Sequence, residues 1–118
     1  MASKSGGEWV RGSLDLMVLS VVAEEPRYGY LIQQRLGEAS GGRVQPQAGT
    51  LYPLLHRLEA DGLIRSRWDK TTGRKRKWYE LTAAGRRQLG RQARQWVELA
   101  DCLRKLLSPV LDAQPKAT

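Results

Sequence analysis

The sequence predicts a mainly α chain with one small β-hairpin and a long closing helix, and three observations predict it. Apolar residues recur at helical spacing in three successive segments between Leu14 and Gly62. The period then shortens to two over Leu63–Trp68 and again over Arg76–Leu81, with Gly73 between the runs. Last, Leu89, Ala93, Trp96, Ala100, Leu103, Leu107 and Val110 follow alternating steps of four and three, the seam of a coiled coil.

Each element has its own justification. Residues 1–10 are small and polar apart from Trp9 and Val10, and read as a flexible arm. Ser13 stands where it can cap a helix over the nearly all-apolar run Leu14–Ala23, which Pro26 stops. Leu14, Met17, Val18, Val21 and Val22 share one face while Leu16 and Leu19 lie elsewhere, the pattern of a central core helix. A buried strand is the rival reading, and the length of the run argues against it. Tyr28, Ile32 and Leu36 mark a second, amphipathic helix over Tyr28–Glu38, and Ser40–Arg43 is a loop.

The third helix runs from about Thr50 to Gly62, with Leu51, Leu54, Leu55 and Leu58 as its apolar stripe. Gly62 occupies the position after the helix where a left-handed residue is favoured. Pro53 constrains the other end. Thr50 as N-cap leaves the proline in the first turn, whereas a start at Ala48 distorts that turn, and both starts stay open. Two short strands follow, joined by a loop containing Lys70-Thr71-Thr72-Gly73. Thr82 is placed to cap the last helix, which reaches about Leu107, before Pro109. A helix ~25 residues long outruns what a small three-helix core covers, so its outer half calls for a second copy of the chain.

Composition narrows the function. The chain has 118 residues, in keeping with one domain. A single Cys (Cys102) and a single His (His56) exclude an internal disulfide and a Cys/His zinc cluster. These two residues fall in separate helices with no orienting acid or Gly-rich turn, so no catalytic site, metal or cofactor is expected. No apolar run reaches the ~18 residues of a membrane span. The opening MASKSGGEW lacks a signal-peptide core, and a cytoplasmic protein is the expectation. Net charge is +8, and it is concentrated. Between Arg65 and Arg94 stand 11 basic residues against Asp69 and Glu80, while the remainder holds 9 basic and 10 acidic residues. Such a local excess points to a polyanion, the other reading being a solvated charged face.

Three helices followed by a hairpin is the order of a winged helix-turn-helix. That fold needs a helix with polar side chains near its N-terminus for the major groove, and a cationic hairpin for the adjoining backbone. Gln47, Thr50, Tyr52, His56 and Arg57, all off the leucine stripe, meet the first need. Arg74, Lys75, Arg76 and Lys77 meet the second. Gln47 carries the amide for bidentate adenine readout. The expected organisation is therefore an arm (1–10), a winged-helix DNA-binding domain (11–82), a dimerisation helix (83–111) and a flexible tail (112–118). The expected dimer interface comprises Leu89, Trp96, Leu99, Leu103 and Leu107.

Here three segments become recognisable together. Gly49-Thr50-Leu51-Tyr52-Pro53-Leu54-Leu55-His56-Arg57-Leu58-Glu59, with Asp61-Gly62-Leu63-Ile64 behind it, closely resembles the core signature of the PadR family of transcriptional regulators. Tyr28-Gly29-Tyr30 and Trp78-Tyr79-Glu80-Leu81-Thr82-Ala83-Ala84-Gly85-Arg86 agree with it. The resemblance implies a homodimeric winged-helix protein, usually a repressor, released from DNA by a small molecule. A single helix after the wing matches the family's compact members. The resemblance gives Tyr52 the role of a phosphate-binding tyrosine; a half-buried ring packed under the wing is the alternative. It also offers Trp96, beside the small Ala93 and Ala100, as a wall of an interfacial cavity that stacks flat aromatic ligands; plain dimer core is the alternative. One departure stands out: Gln45-Pro46-Gln47-Ala48 replaces the Ser-Pro found in many members. A regulator without its own ligand, and a less specific nucleic-acid-binding protein, remain the other readings of the function.

Overall fold

The computed structural model describes the backbone of residues 2–71, 73 and 75–113, and the side chains of those from residue 13 onward. The order is α1 (Ala2–Glu24), β1 (Arg27–Tyr28), α2 (Gly29–Ala39), α3 (Ala48–Ala60), β2 (Ile64–Asp69), β3 (Arg76–Leu81) and α4 (Ala83–Ala113). The helical backbone of α1 begins at Ala2, so it takes in most of the stretch expected as an arm. Gly6 and Gly7 weaken a helix by ~1 kcal/mol each without ending it, and no proline interrupts the run.

Helix α1 is the centre of the core, as its apolar circumference predicts. Its Leu14, Val18, Leu19, Val21 and Val22 are buried against Ile32 and Leu36 of α2, Leu51, Leu55 and Leu58 of α3, and Ile64 and Tyr79 of the sheet. Each such side chain contributes about 1.5–3 kcal/mol of burial. The sheet has three antiparallel strands in the order β1-β3-β2, one more than the sequence predicts. Tyr28, expected to open the second helix, instead pairs with Trp78 across β1 and β3. Pro26 and Gly29 leave room for only two strand residues between them, too few for any period to show.

Two junctions position the functional surfaces. Helix α3 closes on Gly62 at φ 76°, with Gly62 N–H donating to the Glu59 carbonyl and Leu63 N–H to that of Leu58. This double bond pattern is a Schellman motif, and it turns the chain directly into β2. Thr82 caps α4, its Oγ1 accepting the Gly85 N–H at 3.0 Å. From there α4 runs on beyond the globular body, giving the molecule extents of 58 × 32 × 29 Å. Pro109 lies inside α4 rather than ending it. Its missing N–H strands one carbonyl in a stretch where every residue is exposed, and water can satisfy it there.

Candidate nucleic-acid interface

Burial of the leucine stripe of α3 decides which residues the helix shows to solvent. Gln47, Thr50, Pro53, His56 and Arg57 are all exposed on the opposite side. Gln47, in extended backbone, is the N-cap residue, and its carbonyl accepts both the Thr50 and the Leu51 N–H at 2.9 Å. Thr50 is therefore inside the first turn, not capping it. Arg57 is engaged within the protein: Nη1 and Nη2 donate to the two carboxylate oxygens of Asp15 on α1, at 3.0 and 2.8 Å.

Tyr52 is half-buried, and its ring lies across the first residue of α2. A Cβ at Gly29 would stand 2.6 Å from the Tyr52 hydroxyl and 2.8 Å from Cε1. The glycine between Tyr28 and Tyr30 is thus what lets the ring settle there. Burial pushes the nearby Tyr79 phenol up to about 12, with Tyr52 and Glu59 adding to the shift.

The pairing of Ile64 with Leu81 through Asp69 with Arg76 sorts the wing's side chains onto two faces. Arg65, Arg67, Asp69, Arg76, Trp78 and Glu80 share the outer face. There Arg65 pairs with Glu80 at 2.6 Å and the Arg67 guanidinium lies 5.8 Å from the Trp78 ring. Arg76 sits over both Tyr28 and Tyr30, 5.4 and 5.5 Å from their ring centres, and donates to the Tyr30 hydroxyl at 3.3 Å. Tyr28 puts its ring edge on Trp78 and donates its hydroxyl to Asp69 at 2.5 Å. That bond first, and then the Thr71 N–H and hydroxyl, hold the Asp69 carboxyl down at about 2.

The other face looks toward α3. Ser66 donates to Glu59 at 2.5 Å, and Lys77 reaches the same carboxylate at 3.6 Å. The Ser66 hydroxyl, followed by Lys77, lowers the Glu59 pKa. Lys77 lies 5.8 Å from both the Trp68 and Tyr79 rings, and Lys75 4.6 Å from Trp68. The basic run read as one patch is therefore divided. Arg76 faces outward, Lys77 faces α3, Lys75 is at the exposed end of the hairpin, and Arg74 lies outside the described residues. The sequence reading missed the interleaving of these cations with Tyr28, Tyr30, Trp68 and Trp78; the alternation that predicts the strands already contained it.

On α4, Leu89 packs against the chain's own core, while Trp96 and Leu99 are half-buried. Ala93 and Ala100 are exposed, and Ala93 lines a shallow depression of about 330 Å³ with Arg94, Val97 and Glu98. Beyond it Leu103, Leu106, Leu107, Val110 and Leu111 are between 42% and 67% exposed. Among the described residues no cluster of His, Cys, Asp or Glu could hold a metal ion. No helix there is long and apolar enough to cross a membrane.

Residues 18–91 match the transcriptional regulator PadR-like family. The chain is 43% identical to the transcriptional regulator Rv3488 of Mycobacterium tuberculosis over 93 residues, 79% of this chain and 84% of that one. Among solved structures, a PadR family transcriptional regulator from Eggerthella lenta superposes with a TM-score of 0.75 at 40% identity, covering 90% of this chain and 91% of the other. A PadR-like transcription factor from Bacteroides fragilis gives 0.73 at 35% identity, covering 87% and 98%.

Proposed function

The chain belongs to the PadR-like family of transcriptional regulators, DNA-binding winged-helix proteins and not enzymes, and from that premise we propose that it is a homodimeric repressor whose dimer is built on α4. The observation that carries the dimer is the face of α4 from Val97 to Leu111, which leaves six large apolar side chains open to water. A face that wide exceeds one coiled-coil seam. A second copy's α4 covers part of it. A groove of about 360 Å³ between α1 and α2, lined by Leu16, Met17, Ser20, Val21 and Leu36, is the apolar surface that supports a further contact.

In this reading the two α3 helices enter successive major grooves, with Gln47, Thr50 and His56 toward base edges. Arg57 joins them by exchanging Asp15 for DNA. Tyr52, steadied by Gly29, supplies a phosphate contact, and the exposed basic residues of the wing approach the neighbouring backbone. Repression follows from occupying the operator. Release comes from a flat aromatic compound between the two Trp96 side chains, a role favoured by the half-buried indole and the exposed alanines one turn either side. The ligand has to favour the DNA-free arrangement, since equal affinity for both shifts nothing.

Leu103→Glu tests the dimer. Light scattering should give a monomer, because an unpaired charge in a dry seam costs several kcal/mol, and affinity for DNA fragments recovered from the cell should collapse. An unchanged dimer would place the interface elsewhere. Trp96→Ala tests release: planar dyes and phenolic acids that free DNA from the native protein should fail on this variant. Equal release would remove the cavity from the seam and favour a regulator without a ligand there.

A further inference from the structure

Trp68 has no place in the fold's economy of burial. It ends the row Ile64, Ser66, Trp68 on the side of β2 that faces α3, where Ile64 is in the core and Ser66 bonds Glu59. One pleat further out, the indole is 55% exposed. Two ammonium groups hold it nonetheless, Lys75 at 4.6 Å and Lys77 at 5.8 Å from the ring. A cation over an exposed ring is worth ~0.5–1 kcal/mol, enough to bias the orientation of the indole without covering it. The result is a flat apolar plate carried with positive charge at its side, on the face of the sheet that also carries the recognition helix. The minor groove of B-DNA, ~6 Å wide and walled by sugars and phosphates, is the complement of that arrangement.

On the basis of the proposed DNA binding, we propose that Trp68 is the wing's groove-entering residue. Its indole edge lies in the minor groove against deoxyribose and base edges, and Lys75 pairs with a flanking phosphate. Lys77, already paired with Glu59 at 3.6 Å, orients the ring and takes no phosphate. Apolar side chains placed against minor-groove bases are an established way of reading its shape. The only base-specific group projecting there is the guanine 2-amino. Trp68 therefore discriminates against guanine at the base pairs under the wing.

The test uses the full chain and a labelled mixed-sequence duplex several helical turns long, with binding followed by fluorescence anisotropy over a salt series. A matched duplex carries inosine for guanine, which removes only the minor-groove amino group. Native protein should bind the inosine duplex more tightly. Trp68→Ala should bind about tenfold more weakly, the loss expected when one large apolar side chain is no longer buried, with an unchanged log–log salt slope and no preference between the duplexes. Trp68→Phe should retain part of the preference, and Lys75→Ala should lower the slope by ~0.9. If Trp68→Ala or, should that variant melt early, Trp68→Gln responds to inosine as the native protein does, the groove contact is refuted while DNA binding stands. Failure of the native protein to bind either duplex would overturn both.

Discussion

Glycine-to-alanine substitutions five residues apart on α4 should act in opposite directions. A Cβ at Gly85 would overlap the Leu63 carbonyl oxygen and stand 2.8 Å from Leu81 Cδ1 and 3.0 Å from the Leu63 carbonyl carbon. Backbone cannot give way as a side-chain tip can, so the start of α4 has to lift. The bonds at stake are Thr82 N–H to the Leu63 carbonyl at 3.1 Å, the Thr82 hydroxyl shared between the Gly62 and Leu63 carbonyls at 2.6 and 3.0 Å, and Gly85 N–H to the Thr82 oxygen at 3.0 Å. At ~1 kcal/mol net apiece they sum to about 3–4 kcal/mol, against which the better helix propensity of alanine returns ~1 kcal/mol. Gly85→Ala should therefore destabilise by about 2–3 kcal/mol and lower the melting temperature by about 10 °C. At Gly90 the same methyl would meet only the tip of Arg94, 3.7 Å away. Gly90→Ala keeps the propensity gain of up to ~1 kcal/mol and should raise the melting temperature by a few degrees. Calorimetry of both at one protein concentration decides, since melting of a dimer depends on concentration. A Gly85→Ala protein as stable as the native one would refute the packing of α4 on Leu63.

Two further outcomes concern charge. Tyr79 is held neutral by the fold, its pKa raised from 10.0 to about 12, so its contribution to stability is complete below pH 10 and is lost between pH 10 and 12. Absorbance titration of tyrosinate should lose its latest component in Tyr79→Phe, while Tyr28, raised by donating to Asp69, stays delayed in that variant; an unchanged late component in Tyr79→Phe would contradict the buried placement. Asp69 behaves oppositely. Its pKa is lowered from 3.8 to about 2, so the stabilisation is present above pH 3.8 and is lost as pH falls toward 2. A carboxyl titration by NMR should find Asp69 protonating last, and at a higher pH in Tyr28→Phe, where only the Thr71 bonds remain. Finally, Asp15→Asn should loosen Arg57 at a modest cost in stability, because the Arg57 side chain is 54% exposed and the asparagine keeps an acceptor oxygen in place. DNA affinity should rise, because Arg57 no longer gives up a carboxylate on binding, while the salt slope stays the same; an unchanged affinity would remove Arg57 from the DNA contacts.

The helices were legible because their apolar spacing is a direct record of one-sided burial. Leu51, Leu54, Leu55 and Leu58 could be assigned to the core without any structure, and with them the exposure of Gln47, Thr50 and His56. The first strand was not legible, because Arg27 and Tyr28 form it only by borrowing hydrogen bonds from β3, a partner some fifty residues away. Arg57 shows a second limit: its exposure follows from periodicity, whereas its pairing with Asp15 depends on how α1 crosses α3. In the wing, counting lysines and arginines located the charge, but parity along β3 decided its direction. Arg76 and Lys77 are neighbours in sequence and face opposite ways in space.

The seat of α4 on Leu63 also has a mechanical meaning. At 1.5 Å per residue, Leu103 lies about 27 Å along the axis from Gly85. A swing of about ten degrees at the seat thus carries Leu103 through about 5 Å, roughly the pitch of one helical turn. The reverse holds as well. A displacement of the far end by one knob of its seam arrives at the seat divided by that lever, as a slight rotation of Leu63. Leu63 is bonded through its N–H to the last turn of α3 and through its carbonyl to Thr82. In the proposed dimer the helix would work as a reduction gear, in which coarse rearrangement at the exposed tip emerges as fine aim of α3.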